Sequence, residues 1–158
     1  MHKTNKYFLT LITLVVLSVF KPNSTNAQTT LTWKDFDKIT FVEKWDTTYQ
    51  ATTHLPKFNK RLKALDGKQI VIEGYLLPID ISAGYYILKS NERPINFGCV
   101  YSPKGNSDEL IDLNFKNTDS TYLNQFNNKK VTIKGILKLN DSDILQMNLI
   151  IESAEIVE

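Results

Sequence analysis

The sequence predicts a mainly β protein, built as a small closed barrel of five strands. Two long β-branched runs, residues 68–78 and 130–138, carry this prediction, and each contains a glycine after its β-branched residues. A glycine inside a long strand lets the strand bend sharply and lets another backbone cross closely, as the corners of small barrels require. Between the two runs, Ile111, Leu113 and Phe115 alternate with polar residues, which indicates a strand with one buried face and one face in water.

The first 27 residues have the pattern of a secretory signal peptide. A basic start is followed by an almost wholly apolar stretch, residues 7–20, which is too short to span a bilayer. Small residues at positions 25 and 27 favour cleavage after Ala27, so we expect a mature protein that begins at Gln28. Such a protein is exported, periplasmic or secreted, and keeps no stable membrane anchor. An uncleaved membrane anchor is the alternative.

The basic charge of the chain comes from this leader. Removal of residues 1–27 takes away three lysines and no acid, so 19 basic residues become 16, against 17 acidic residues. A nearly neutral mature chain has no global electrostatic attraction to nucleic acid or anionic lipid. Cys99 is the single cysteine, so an internal disulfide is excluded and stability must come from packing.

Residues 28–66 predict an N-terminal latch and a short helix that pack with the barrel, residues 67–158, as one domain. Thr32 and Asp35 resemble a capping box around a turn or two of helix. The aromatic residue after Thr32, Trp33, would share a face of that helix with Phe36.

Extended chain and a second helix follow the latch. Residues 39–45 and 47–53 are rich in β-branched and aromatic residues, which favours an extended segment or a hairpin. Phe58, Leu62 and Leu65 then recur at helical spacing, and a glycine follows where a helix C-cap belongs.

The barrel strands are predicted from alternating residues. In the first strand Ile70, Ile72, Gly74 and Leu76 share one face, and because the other face is not purely polar, both faces are expected to be partly covered. In the fourth strand the inward positions are Val131, Ile133, Gly135, Leu137 and Leu139. Residues 85–89 form the second strand, and residues 122–126 form a short helical plug after the third. In the last run, apolar residues change parity between Ile151 and Ala154, which predicts a bulge near Glu152 or Ser153.

Five strands with a plug between the third and fourth suit a Greek-key barrel of the OB type. A small β-sandwich is the alternative, since alternation alone does not establish closure.

The chain also resembles a family of exported bacterial proteins classed as a domain of unknown function. The resemblance rests on Trp33 and Phe36, Pro56-Lys57-Phe58, Leu65-Asp66-Gly67-Lys68, Ile72-Glu73-Gly74-Tyr75 with Pro78, Cys99, Gly135-Ile136-Leu137 and Leu139-Asn140-Asp141-Ser142-Asp143. It covers nearly all of the mature chain. The family is similar to OB-type barrels and has no established activity, so the resemblance implies a fold and not a function. Many relatives carry two cysteines spaced C-x-x-C, and this sequence has Asn96 in place of the first.

The residues that could act in catalysis or bind a metal favour a protein that is not an enzyme. One thiol, Cys99, supports neither a disulfide cycle nor a tetrahedral metal site by itself, and we expect it to be a buried small side chain. A reactive or ligand-lining thiol is the alternative. His54 is interpreted as a solvated or capping histidine in a loop, and residues 140–143 as a turn rather than a calcium loop. Glu73 and Asp80 do not share a strand face. No catalytic residue, metal ligand or cofactor is therefore predicted.

A ligand surface remains as the functional prediction. Its candidate residues, in and around the second strand, are Tyr75, Tyr85, Tyr86, Phe97, Cys99 and Tyr101. Ordinary barrel packing is the competing interpretation for these aromatic residues. We expect an exported, non-enzymatic binding or accessory module that binds an unknown small molecule or protein through loops around residues 78–104. The alternative is a redox or metal-handling periplasmic protein that uses Cys99, and nucleic-acid binding is disfavoured.

Overall fold

A computed structural model describes residues 28–92, 109–117 and 119–157. The strands are β1 (Thr29–Thr30), β2 (Thr40–Asp46), β3 (Ala51–Lys57), β4 (Gln69–Asp80), β5 (Tyr85–Lys89), β6 (Leu110–Phe115), β7 (Lys130–Leu139) and β8 (Leu149–Val157). The helices are a 3-10 helix (Trp33–Asp35), α1 (Lys60–Leu65) and α2 (Ser120–Asn124). None of the helices in these ranges is long and apolar enough to cross a membrane.

Five strands close into a barrel, in the order β4-β5-β6-β8-β7 and back to β4. The β6–β8 pairing is parallel, whereas the other four barrel pairings are antiparallel. Because β4 pairs with both β5 and β7, the sheet closes on itself and is not one layer of a sandwich. The predicted OB-like Greek-key barrel, with α2 between its third and fourth strands, is confirmed.

The two long strands cross their neighbours closely at Gly74 and Gly135. A Cβ atom added at Gly74 would lie 2.8 Å from the carbonyl oxygen of Lys89, and one at Gly135 would lie 2.9 Å from that of Glu152. β4 also changes partners here, since it pairs with β7 up to Tyr75 and with β5 from Tyr75 onward. The close backbone approach predicted for both glycines is therefore present.

A bulge in β8 allows Ile151 and Ala154, which are three residues apart, to face the same side of the strand. Ser153 has a φ of +53°, and the β6–β8 register shifts where Phe115 pairs with Ala154 instead of Ser153. Ile151 and Ala154 are consequently both buried. The sequence predicted this bulge at the same place.

The core fills the barrel and extends beneath the N-terminal residues. Its fully buried members include Leu76, Leu88 and Ile133 from the barrel and Phe36 and Leu62 from before it. Burial alternates along β7 as predicted, with the odd-numbered residues facing inward.

The N-terminal residues contact β4 directly. β1 pairs in parallel with β4, and the indole N–H of Trp33 donates a 2.6 Å hydrogen bond to the carbonyl oxygen of Glu73. The capping box of the 3-10 helix is formed by Thr32 and Asp35, as predicted.

β2 and β3 form a hairpin that is a separate two-stranded sheet. The predicted extended region is therefore a hairpin, although β3 continues through Pro56 to Lys57, beyond the predicted end of this region. Pro56 is tolerated because β3 pairs on one side only in this sheet. The prediction that His54 lies in a loop is wrong, since it lies in β3.

Candidate functional site

Three of the six predicted ligand residues lie within the described chain. These are Tyr75, Tyr85 and Tyr86, all on the β4–β5 hairpin. Phe97, Cys99 and Tyr101 lie outside the described residues, and their assignment to a site stays a prediction.

The β4–β5 pairing points the three tyrosines in different directions. Tyr75 pairs with Lys89, and Tyr86 pairs with Pro78. Tyr86 shares its face with Leu88 and points into the core, whereas Tyr75 and Tyr85 lie on the outer face, because side chains alternate along a strand. The predicted second strand is therefore present, but the three side chains do not share one surface.

Tyr86 is buried at the end of the barrel where α2 begins. Only 1% of its surface is exposed, and its ring packs edge-to-face on Phe115 with 5.6 Å between ring centroids. Its hydroxyl is buried and has no hydrogen-bond partner in the described chain. Burial raises the pKa of Tyr86, and the charge of Asp119 raises it further, so this phenol is a neutral donor at ordinary pH.

Tyr75 is tied to charged neighbours on the barrel surface. A side-chain hydrogen bond with Glu92 is the main cause that raises the pKa of Tyr75. The ammonium group of Lys130, which lies opposite Tyr75 on β7 and pairs with Glu73, acts in the other direction. Tyr75 thus belongs to a surface network of charges and hydrogen bonds.

The outer face of β5, β6 and β8 is buried rather than open. Ile87, Leu110 and Ile150 are each at most 5% exposed, although they alternate with residues of the core. Lys89 lies on the same face and is 4% exposed, and its burial lowers its pKa. In OB barrels the face of the second and third strands is a usual ligand surface. Here Ile87, Lys89 and Leu110 on that face are withdrawn from solvent, whereas Asn114 is exposed.

Asp112 lies in the middle of this outer face. It pairs with Ile87 on one side and Ile150 on the other, and its Oδ1 atom is buried without a hydrogen-bond partner in the described chain. Burial raises the pKa of Asp112, while a backbone hydrogen bond from Leu113 acts against the shift. The predicted water-facing side of β6 is exposed at Asn114 but only half-exposed at Asp112, since alternation does not report what covers the second face.

A shallow depression lies at the β4–β5 end of the barrel. It has a volume of about 550 Å³ and is lined by residues 81–84 of the β4–β5 turn and by Ser120 of α2. The Oδ1 atom of Asp80 accepts hydrogen bonds from the Ser82 hydroxyl, at 2.6 Å, and from the Ala83 amide, at 3.0 Å. These bonds lower the pKa of Asp80, with the Ser82 contribution the larger. The turn is therefore held in one shape by its own carboxylate.

α2 contributes its first residue, Ser120, to the lining of the depression. Asp119 caps the helix by accepting from the amides of Thr121 and Tyr122. Ser120 and Asn124 are four residues apart and so lie on the same side of the helix. The Oδ1 atom of Asn124 is buried and has no hydrogen-bond partner in the described chain. No sequence pattern distinguishes Asn124 from an ordinary exposed helix residue.

Comparisons with known proteins identify a likeness in fold but no activity. Neither a protein-family profile nor a curated protein matches the chain. One similar solved structure is the crystal structure of a DUF3299 family protein from Pseudomonas aeruginosa PAO1. The two chains are 18% identical, the match covers 84% of this chain and 97% of that one, and the TM-score is 0.46. That neighbour comes from a family of unknown function, as the resemblance in the sequence predicts.

The remaining polar candidates have structural roles where they are described. The side chain of Asn140 accepts from the amides of Ser142 and Asp143 and donates to three carbonyls, so it organises the β7–β8 turn. The imidazole Nε2 of His54 lies 3.3 Å from a carboxylate oxygen of Glu43 across the hairpin. Within the described ranges, no three acidic, histidine or cysteine side chains come together as metal ligands would.

The β2–β3 hairpin carries the largest concentration of exposed apolar side chains before the barrel. Val42, Trp45 and Tyr49 are 53%, 60% and 50% exposed. Val42 and Trp45 are on opposite faces of the hairpin, since their positions differ by three residues along a strand. Each face of the hairpin thus carries at least one exposed apolar side chain.

Proposed function

We propose that the protein is an exported, non-enzymatic binding or accessory module, and that it takes a small molecule or a protein segment at the β4–β5 end of its barrel. The depression between residues 81–84 and Ser120 carries the proposal, because its volume of about 550 Å³ lies in the range of ligand pockets. It belongs to the region around residues 78–104 that the sequence favours.

The polar groups around the depression favour binding over chemistry. The Ser82 hydroxyl donates to Asp80, and that bond holds the turn, whereas an activated serine needs a base such as histidine in that position. Asp119 is likewise engaged by the amides of α2. Because the carboxylates of Asp80 and Asp119 already accept hydrogen bonds within the protein, they can help to shape a binding site but are not free to act as catalytic bases.

Bound ligand can be sought directly in protein purified from its own compartment. Native mass spectrometry of the wild-type protein is expected to show a bound species, and mass analysis after denaturation identifies it. The Ala83→Trp variant fills the depression and should lose that species. Leu145→Trp is the matched control, since Leu145 is 73% exposed on the β7–β8 turn at the other end of the barrel. A wild-type protein without bound species, or equal retention in both variants, contradicts the proposal.

The export part of the proposal has its own measurement. The mature chain should begin at Gln28 and be recovered from the periplasm or medium, as mass spectrometry of its N-terminus would report. A chain that keeps residues 1–27 in a membrane fraction contradicts the cleavage after Ala27.

A further inference from the structure

The long strand β4 is paired on both sides near its start, and β1 supplies one of these pairings. At Ile70 and Val71, β4 pairs with β7 on one side and in parallel with β1 on the other. β5 pairs with β4 only from Tyr75 onward, so β1 occupies the side that β5 leaves open before that residue. The amide of Leu31 continues the contact with a 2.8 Å hydrogen bond to the carbonyl oxygen of Val71, and the Leu31 side chain is 2% exposed. Residues 29–31 are therefore part of the folded barrel.

Gln28 lies immediately before this pairing. It is exposed and belongs to no helix or strand, whereas Thr29 is the first residue of β1. Cleavage after Ala27, as proposed above, makes Gln28 the first residue of the mature chain. Its new α-amine and its side-chain amide then lie together on one exposed residue, next to a neighbour that the β1–β4 pairing holds in place.

We propose that Gln28 is a modification site, at which the mature N-terminus closes to pyroglutamate. The inference rests on the cleavage after Ala27 in the proposed function and goes beyond it. The α-nitrogen of Gln28 attacks the side-chain carbonyl carbon, Cδ, and forms a five-membered lactam ring. The bond between Cδ and the side-chain nitrogen breaks, and that nitrogen leaves as ammonia with a proton from the α-amine. Nothing is oxidised or reduced, and no co-reactant is consumed.

The position of Gln28 suits this reaction. Because the attack is intramolecular, the nucleophile and the carbonyl carbon are held at a high effective concentration. An N-terminal amine has an ordinary pKa of about 8, so a fraction of it is the uncharged nucleophile near neutral pH. Gln28 precedes the residues that pair with β4, so closure of the ring breaks no pairing in the β1–β4 register.

The ring protects β1, because an aminopeptidase needs a free α-amine. β1 contains two residues, Thr29 and Thr30, and begins directly after Gln28. Loss of residues 28–30 would remove the whole strand and leave one side of β4 unpaired at Ile70 and Val71. An unpaired strand edge is a place where proteins associate and aggregate. A closed N-terminus therefore keeps this edge of the sheet covered.

The mass of the N-terminal peptide tests the modification. The chain is expressed with residues 1–27, purified from the periplasm or medium, and analysed directly at harvest. The peptide that begins at residue 28 should be lighter than its unmodified form by the mass of one ammonia molecule, and it should carry no free α-amine. A synthetic peptide of the same sequence, carried through the same preparation, measures the cyclisation that the preparation itself causes. A free α-amine in the protein, or cyclisation no greater than in the synthetic peptide, overturns the proposal.

The matched variant is Gln28→Asn, which keeps a side-chain amide but would have to close a strained four-membered ring. It should keep its full mass and its free α-amine. Digestion with a broad-specificity aminopeptidase should remove residues 28–30 from this variant and lower its melting temperature, whereas wild type keeps all three residues. Wild type that is first treated with pyroglutamyl peptidase should be trimmed like the variant. Equal trimming of the variant and untreated wild type overturns the protection of β1 by the ring.

This inference and the proposed export fail in distinguishable ways. A mature chain that begins at Gln28 with an open side chain and a free amine overturns the modification and leaves the export proposal standing. A mature chain that begins at any other residue overturns both the cleavage after Ala27 and the modification.

Discussion

The barrel and the β2–β3 hairpin are both largely antiparallel β structure, yet the barrel buries its apolar side chains and the hairpin exposes several of its own. In the barrel, β4 and β7 are buried against neighbours so closely that Gly74 and Gly135 leave no room for a Cβ atom. In the hairpin, Val42 and Trp45 are more than half exposed. A closed sheet has an inside that every strand shares, whereas a two-stranded sheet has none. Stability should therefore reside in the barrel crossings, and the hairpin should tolerate change.

The largest effect is expected at the barrel crossings. Gly74→Val and Gly135→Val should each lower the free energy of unfolding by about 3 kcal/mol, because a branched side chain meets a backbone carbonyl that cannot move aside. Gly67→Asn is the control, since nothing lies within 4 Å of a Cβ added there and asparagine accepts its φ of +71°. Urea and thermal unfolding measure the differences. Crossing variants that melt within about a degree of wild type would show that the barrel accommodates a side chain there.

The second prediction compares the loss of stability in a barrel turn, β7–β8, with that in the turn of the β2–β3 hairpin. Asn140→Ala should cost about 2 kcal/mol, because the 8% exposed side chain makes five hydrogen bonds within the β7–β8 turn. Asp46→Ala removes a comparable cap, which accepts from the amides of Thr48 and Tyr49 in the hairpin, and should cost less than about 1 kcal/mol. Equal losses in chemical denaturation would mean that the hairpin unfolds together with the barrel.

A third prediction concerns pH and the buried outer face of the barrel. The pKa of Asp112 is raised by burial, so the folded state holds the proton more tightly than the unfolded state. This group therefore favours folding below its unfolded pKa, near the ordinary value of 3.8, and that advantage is lost as pH rises through the folded pKa. Asp112→Asn cannot ionise, so it should be more stable than wild type at pH 7, by about 1 kcal/mol, with the difference shrinking toward pH 3.

Denaturant titrations of both proteins across that pH range provide the measurement. A constant difference between Asp112→Asn and wild type at all pH values would mean that Asp112 is not charged differently in the two states.

The smallest effect is expected on the hairpin. Trp45→Ala should change the free energy of unfolding by less than about 0.5 kcal/mol, since the side chain is 60% exposed. Trp33→Ala is the matched control and should cost about 2 kcal/mol, because its indole packs on the core and donates to the carbonyl of Glu73. Thermal melts compare the two. A large loss with Trp45→Ala would mean that the hairpin contributes to the barrel's stability.

The sequence predicted those features that depend on local pattern. Alternation identified the faces of β7, and the change of parity before Ala154 identified the bulge at Ser153. The glycines of β4 and β7 predicted closure because an open sheet has no need of two such crossings. Each of these signals is contained within about ten residues of the chain.

The candidate site depends on relations that no local pattern contains. Asp112 is partly withdrawn from water, and its neighbours across the two flanking strands are isoleucines that lie far from it in the sequence. Polar residues at alternate positions predict solvent, so both Asp112 and Asn124 read as ordinary surface residues. The tyrosines were recognised, but whether each points inward depends on register with β4.

Closure by β8 has a consequence for how the barrel is made. β8 is the strand that joins β6 to β7, so the ring stays open until residues 149–157 have left the ribosome. The β4–β7 pairing also joins residues about sixty positions apart, and such distant contacts slow folding. The barrel therefore closes only once β8 is available to pair with β6 and β7. Late closure of this kind is compatible with passage through an export channel before folding, as the proposed route requires.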